Sequence, residues 1–181
     1  MMRFLTAGES HGPQLVAVVE GMPAGFDIDP ARINQELARR QKGYGRGGRM
    51  AIERDEARIV SGVRFGQSLG SPITMVVENL DYKNWLKRMS IDPRDRGEGK
   101  PVTRPRPGHA DLAGVLKYNL DDIRNVLERA SARETTARVA VGGLARQLIE
   151  PFGIDVLGYV VSIGHIKATM PASITPAELR R

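Results

Sequence analysis

Cysteine is absent from the 181 residues, which removes disulfides, thiolate metal sites and a cysteine nucleophile from consideration and fits a reducing cytoplasm. Aromatic residues make up only 5%, few for a surface that stacks nucleic-acid bases. There are three histidines and no H-E-x-x-H or comparable spacing, so no metal site is expected. No apolar run approaches the roughly 18 residues that span a bilayer. Glu9 and His11 interrupt the N-terminus before an apolar core of signal-peptide length can form. Neither export nor membrane insertion is expected. A Lys-rich tail is nearly absent, which argues against nucleic acid and acidic membranes as partners, and internal repeats and low-complexity segments are lacking too.

What remains is a chain 41% hydrophobic, long enough for one substantial core, with 27 Lys+Arg against 21 Asp+Glu and a formal net charge of +6. That surplus points to an anionic partner, and a small phosphorylated metabolite suits it. Residues 14–21 (QLVAVVEG), 57–63 and 72–78 (PITMVVE) are β-branched runs bounded by Gly, Pro or Asn, and predict strands. Between the first two, Asp29-Pro30 supplies an N-cap and a proline at the first helical position. Ile33, Leu37 and Ala38 then mark a helix to about Gln41, closed by Gly43. Residues 79–108 form a charged, proline-dotted loop that holds the single tryptophan, Trp85. Short helices are expected over 111–119 and 122–129. Ser131-Ala-Arg-Glu134 has capping-box spacing and predicts a helix whose buried face is Ala137, Val141, Leu144, Ala145 and Leu148, stopped by Pro151 and Gly153. A further strand is predicted over 154–163. A helix is predicted to open at Thr175-Pro176, and its capped start without a body reads as part of a longer chain.

Three constellations carry chemistry. The segment 39–54 (RRQKGYGRGGRMAIER) sets Arg39, Arg40, Lys42, Arg46, Arg49 and Arg54 among four glycines. Guanidinium groups grip carboxylates and phosphates bidentately, and glycines let backbone N–H groups approach them. A solvated basic loop and an RNA-binding loop are the alternatives on composition alone. Gly43 to Gly48 satisfies G-x-G-x-x-G, but it follows a helix where the dinucleotide fold needs a strand. The helix start near Ser131, crowded by Arg129 and Arg133, is a second anion site in principle. His11 and His109 sit in glycine-flanked settings and suit proton exchange near neutral pH. His165 follows a strand-like run without polar company and reads as structural. Ser10 beside His11 makes no triad, because neighbours on an extended chain point to opposite faces.

Gly8-Glu-Ser-His-Gly12 running through Val18-Val-Glu-Gly-Met-Pro23 resembles the N-terminal signature of chorismate synthase, and Glu128-Arg-Ala-Ser-Ala-Arg-Glu-Thr135 resembles its second signature. The arginine–glycine segment and Arg104-Pro-Arg-Pro-Gly-His-Ala-Asp111 are similar to the family too, in the expected order. Gly143 departs from the second signature, where a small non-glycine or β-branched residue is expected. The resemblance implies an α+β fold: a β-α-β sandwich of the chorismate synthase type, helices between antiparallel sheets, assembled as a homotetramer. Residues 1–181 would be the N-terminal part of a single domain. Its C-terminal part, with an active-site arginine and aspartate, is absent from this sequence, and these residues alone are then expected to be inactive. The implied reaction is a lyase step of the shikimate pathway to the aromatic amino acids. In it, 5-enolpyruvylshikimate-3-phosphate loses phosphate by anti-1,4-elimination with reduced FMN, and NADPH is the candidate reductant of the flavin. The resemblance implies that Arg40, Arg46, Arg49 and Ser10 contact substrate or cofactor. His11 would protonate the departing phosphate, His109 would interact with the reduced flavin, and Arg129, Ala130, Ser131 and Arg133 would contact FMN. The protein is implied to be cytoplasmic, with neither nucleic acid nor membrane as partner.

Overall fold

Strand β2 (Gln14–Glu20) alternates, with Leu15, Ala17 and Val19 buried between half-exposed Val16 and Val18. This is the period-2 signature of a sheet with one face on a core. In this computed structural model, which describes residues 1–42, 54–169, 173, 175 and 178, β2 is central to an antiparallel sheet. It pairs on one side with β1 (Arg3–Ala7) and on the other with β6 (Ile73–Glu78), which in turn pairs with β3 (Ala57–Ser61). The register sets Leu15 opposite Val77, Ala17 opposite Met75 and Val19 opposite Ile73. All six are buried on one face, where cross-strand pairs do most of the stabilising. The short hairpin β4 (Val63–Arg64) and β5 (Gln67–Ser68) leaves β3 after Gly62 and turns at Phe65-Gly66. Both turn residues have positive φ, 53° and 80°, as a two-residue hairpin turn requires.

The predicted helix forms as α1 (Pro30–Gln41). Asp29 caps it, its side chain accepting from the Ala31 N–H at 2.8 Å. Ile33 and Leu37, one turn apart, are its buried residues. Lys42 ends it in an extended conformation, and Gly43 lies outside the described residues. Beyond the loop, with only two 3-10 turns at Tyr82–Asn84 and Pro93–Asp95, come α2 (Asp111–Tyr118), α3 (Arg124–Leu127) and α4 (Glu134–Ile149). Ala137, Ala140, Val141 and Leu144 of α4 are buried at helical spacing, while Ala145 and Leu148 are only half-buried. A Cβ on Gly143 would lie 3.1 Å from the Ile33 Cα. The departure from the second signature is thus the contact point of α1 and α4, where a side chain would push two helix backbones apart.

Residues 1–145 form one compact unit and 146–181 another. In the second, the expected strand over 154–163 is replaced by a two-residue hairpin, β7 (Ser162–Ile163) with β8 (Ile166–Lys167). A strand needs a partner ladder, and Val156, Tyr159, Val160 and Val161 are each more than half exposed. His165 lies exposed in that hairpin's turn, so it has no structural role in a core. The capping box expected at Ser131 does not form. Glu134 is the first residue of α4, and its carboxylate turns to Thr6 and Arg138 rather than back to Ser131. The Ser131 hydroxyl accepts from the Arg133 N–H at 3.3 Å. Thr175 and Glu178 do have the reciprocal arrangement: the Thr175 N–H donates to the Glu178 carboxylate at 2.8 Å, and the Glu178 N–H donates to the Thr175 hydroxyl at 3.3 Å. The fold is α+β, with antiparallel sheets throughout. Among the described residues, no helix is long and apolar enough to cross a membrane.

Candidate active site around His11

The chain leaves β1 at Gly8, with φ +100°, and re-enters the sheet at Gln14, so residues 9–13 project from one end of β1 and β2. Asn79, just past β6, holds this loop. Its side chain donates to the Ser10 and Gly12 carbonyls at 3.2 and 2.7 Å, and its N–H donates to the Pro13 carbonyl at 3.0 Å. From the other side the Ser10 N–H donates to the Glu128 carbonyl at 2.9 Å. The His11 N–H donates to a Glu128 carboxylate oxygen at 2.9 Å, and His11 Nδ1 lies 2.9 and 3.0 Å from the two oxygens.

Glu128 is almost completely buried, and Arg124 donates to it at 3.1 Å. Burial by itself would raise the Glu128 carboxyl. The bonds from the His11 ring and backbone, with the Arg124 charge, outweigh it and hold the group below its ordinary value. Trp85 stacks on the imidazole, ring centroids 3.8 Å apart at 28°. The indole N–H donates to Asp81 at 2.9 Å, and the guanidinium groups of Arg88 and Arg124 lie 5.8 and 5.4 Å from the Trp85 ring centre. No described residue bonds His11 Nε2. Beside this group lies a cleft of about 740 Å³ lined by residues including Glu9, Arg88, Lys100, Asp122, Arg124 and Glu128, within the usual size of a small-molecule site.

His109 is held in a parallel way. Asp111, the first residue of α2, is fully buried and accepts from the Arg106 N–H and Nε at 3.0 Å each, and it also bonds His109 Nδ1. The Arg106 bond, reinforced by that from His109, keeps the Asp111 carboxyl far below the usual carboxylate range despite burial. Arg106 is raised in turn, first by its bond to Asp111 and in smaller part by the Glu128 charge. The two histidine clusters are therefore within electrostatic reach of each other.

The described arginines expected to contact ligand, Arg40, Arg129 and Arg133, are engaged inside the protein. Arg40 donates to Thr136 at 2.6 Å and lies 3.8 Å from Asp55. Arg133 donates to Asp55 at 2.8 Å and to the Glu78 carbonyl at 3.3 Å. Arg129 donates to the Thr6 carbonyl and hydroxyl at 2.8 and 2.6 Å, clamping β1 to the turn before α4. Ala130 is exposed and Ser131 half-buried in that turn. Arg46 and Arg49 lie outside the described residues. Among the described residues, no group of His, Asp and Glu could hold a metal ion.

Sequence reasoning missed Glu128, Arg124, Asp55, Asn79 and the clamp of Asp111 by Arg106. Glu128 and Asp111 stand inside the quoted motifs. The signal available there was a carboxylate adjoining a motif histidine or arginine, which shows nothing of the distant residue it grips.

A family profile described as chorismate synthase matches residues 2–180. The chain is 56% identical over 181 residues to a chorismate synthase of Enterococcus faecalis, covering 99% of this chain and 47% of that protein. It is 62% identical over 169 residues to one from a Geobacillus species, covering 92% of this chain and 44% of the relative. A crystal structure of chorismate synthase superposes with a TM-score of 0.69 at 44% identity, over 92% of this chain and 39% of that one. The chain thus spans a little under half the length of the curated relatives it matches. Taken with the two signatures and the His11 loop they build, these likenesses establish that the chain belongs to the chorismate synthase family.

Proposed function

We propose that the full-length protein converts 5-enolpyruvylshikimate-3-phosphate to chorismate and phosphate, using reduced FMN, as a homotetramer in the cytoplasm. The observation that carries the reading is His11, its Nδ1 fixed by a buried carboxylate, beside a cleft bearing Arg88, Lys100 and Arg124. In the reaction the bond between ring carbon and phosphate oxygen breaks, and its electron pair leaves with the phosphate. A ring proton is lost, and the electrons of that C–H bond enter the new double bond. A proton given from His11 Nε2 to the departing phosphate lowers the barrier to its loss, as general acids do. The cleft's cations suit a substrate with two carboxylates and a phosphate. Of its four acids, Glu98, Asp122 and Glu128 are already engaged by Lys87, by the Val102 and Arg124 N–H groups, and by His11 with Arg124, and Glu9 is the fourth.

When bound, reduced FMN would supply an electron transiently and recover it, leaving no net redox change. The residues present fit such a group. The turn at Ala130 and Ser131 is accessible, and Arg129 and Arg133 set its shape by binding Thr6 and Asp55. Arg40, Arg46, Arg49 and Ser10 are the proposed remaining substrate contacts, and His109 is the proposed neighbour of the flavin.

The test is a titration of FMN fluorescence with the full-length protein, with and without the enolpyruvyl phosphate, alongside anaerobic assay of phosphate release. Flavin binding that tightens with substrate, and phosphate release only when flavin is reduced, are expected. Replacing the chemical reductant by NADPH asks whether the protein reduces its own flavin. Failure to bind flavin under either condition overturns the reading.

A further inference from the structure

Among the described residues, His11 makes its polar contacts through Glu128. The carboxylate takes the backbone N–H at 2.9 Å and faces Nδ1 with both oxygens, at 2.9 and 3.0 Å. Both partners are close to fixed. The Glu128 side chain is 1% exposed and anchored by Arg124 at 3.1 Å, and its backbone carbonyl is tied to the Ser10 N–H at 2.9 Å. The imidazole plane is set by Trp85 on one face, and Trp85 is itself held by its indole N–H on Asp81 at 2.9 Å. A carboxylate can only accept at Nδ1, so the neutral ring must carry its proton there. The nitrogen bonded by no described residue is Nε2.

We propose that Glu128 is a positioning residue that fixes His11 as the Nδ1–H tautomer and thereby makes Nε2 the nitrogen that gives and takes the proton. This rests on the reading of His11 as the proton donor. When imidazolium gives its Nε2 proton away, the ring is left as the Nδ1–H form, the one the carboxylate already holds. The transfer then needs neither ring rotation nor tautomer exchange, the advantage that an orienting carboxylate confers on any histidine acid or base. Free imidazole side chains favour the opposite tautomer, so the effect of Glu128 is measurable without turnover. His109 shares the buried carboxylate at Nδ1, in Asp111, but there the Arg106 guanidinium also lies 3.0 Å from Nε2. Two histidines carry a buried, arginine-anchored carboxylate at Nδ1, whereas exposed His165 carries none.

The experiment is ring-¹⁵N NMR of histidine in the full-length protein at a pH where His11 is neutral, its signals identified by loss in H11A. The wild type is expected to show a protonated Nδ1 and a bare Nε2. In E128L the ring is expected to revert to mainly Nε2–H, and kcat to fall about 10²-fold with little change in KM, within the range general acid catalysis contributes. E128Q keeps an acceptor oxygen and the side-chain shape, so it should retain the Nδ1–H tautomer and recover most of the rate, and if E128L does not fold E128A takes its place with the same expectation. In an H11A background E128L should cost little further activity. A wild-type ring already protonated on Nε2, or an unchanged tautomer in E128L, overturns the proposal. A tautomer that follows Glu128 with turnover unchanged supports the positioning and overturns the reading of His11 as the acid.

Discussion

Asp111 lies at the centre of the turn that carries His109, and its hydrogen bonds show which of the two residues the turn depends on. It accepts from the Arg106 backbone N–H and guanidinium as well as from the imidazole, so it closes residues 106–111 onto the start of α2. Replacing it with Asn points an amide NH2 at those donors in a fully buried position and leaves that NH2 without an acceptor, a loss of about 1–3 kcal/mol. Removing the imidazole leaves the bonds between Arg106 and Asp111 in place. D111N is therefore expected to lower unfolding stability of the full-length protein in urea by that amount, and H109A by less. H109A costing as much as D111N would mean that the histidine, not the aspartate, holds the turn.

At the level of elements, α4 carries two adjacent glycines whose surroundings are opposite. A Cβ at Gly142 would meet nothing within 4 Å, whereas one at Gly143 would press on the Ile33 backbone at 3.1 Å. Glycine costs about 1 kcal/mol relative to alanine inside a helix. G142A should therefore stabilise by about that much, and G143A should lose more than the helix gains, because an α-carbon of α1 cannot rotate away. Thermal melts of the two variants giving equal shifts would refute the close approach.

The same elements show what the sequence could and could not reveal. α1 was legible because its cap, its proline and its apolar stripe are all local. β2 and β6 were legible because both alternate or run apolar within one segment. β1 was not: four of its five residues are exposed, and only pairing with β2 makes it a strand. The run at 154–161 has strand composition without a ladder to join. Ser131 and Thr175 share the same capping spacing, and only the second forms the box, because Thr6 and Arg138 compete for Glu134 at the first. At the site, His11 stood in a readable motif. The carboxylate that directs it lies 117 positions away, a distance that only the packing of the β1–β2 loop against the turn after α3 closes.

Across the whole molecule, five carboxylates among the described residues stand below their ordinary values, and three of them, Asp111, Glu128 and Glu134, have side chains no more than 13% exposed and a named clamp each. Arg106 lowers Asp111. Burial raises Glu128 and Glu134, but His11 with Arg124 outweighs it at the first, and Thr6, Arg138 and Arg129 outweigh it at the second. A carboxyl lowered by folding binds fewer protons in the native than in the unfolded state. Its stabilisation is complete above the unfolded value, near pH 4, and is lost as pH falls through the native value. Urea unfolding of the full-length protein should therefore show stability falling steeply below about pH 5. Protonation also adds to a charge that is already +6 over these residues at neutral pH, and self-repulsion would destabilise in the same direction. Salt separates the two causes. At about 1 M salt the screening length is roughly 3 Å, which suppresses long-range repulsion far more than it weakens hydrogen bonds made at contact distance to a carboxylate no more than 13% exposed. The acid limb should therefore stay steep in high salt and flatten in D111N or E134Q. A limb that salt abolishes and the amide variants leave unchanged would assign acid sensitivity to net charge instead of to these clamps.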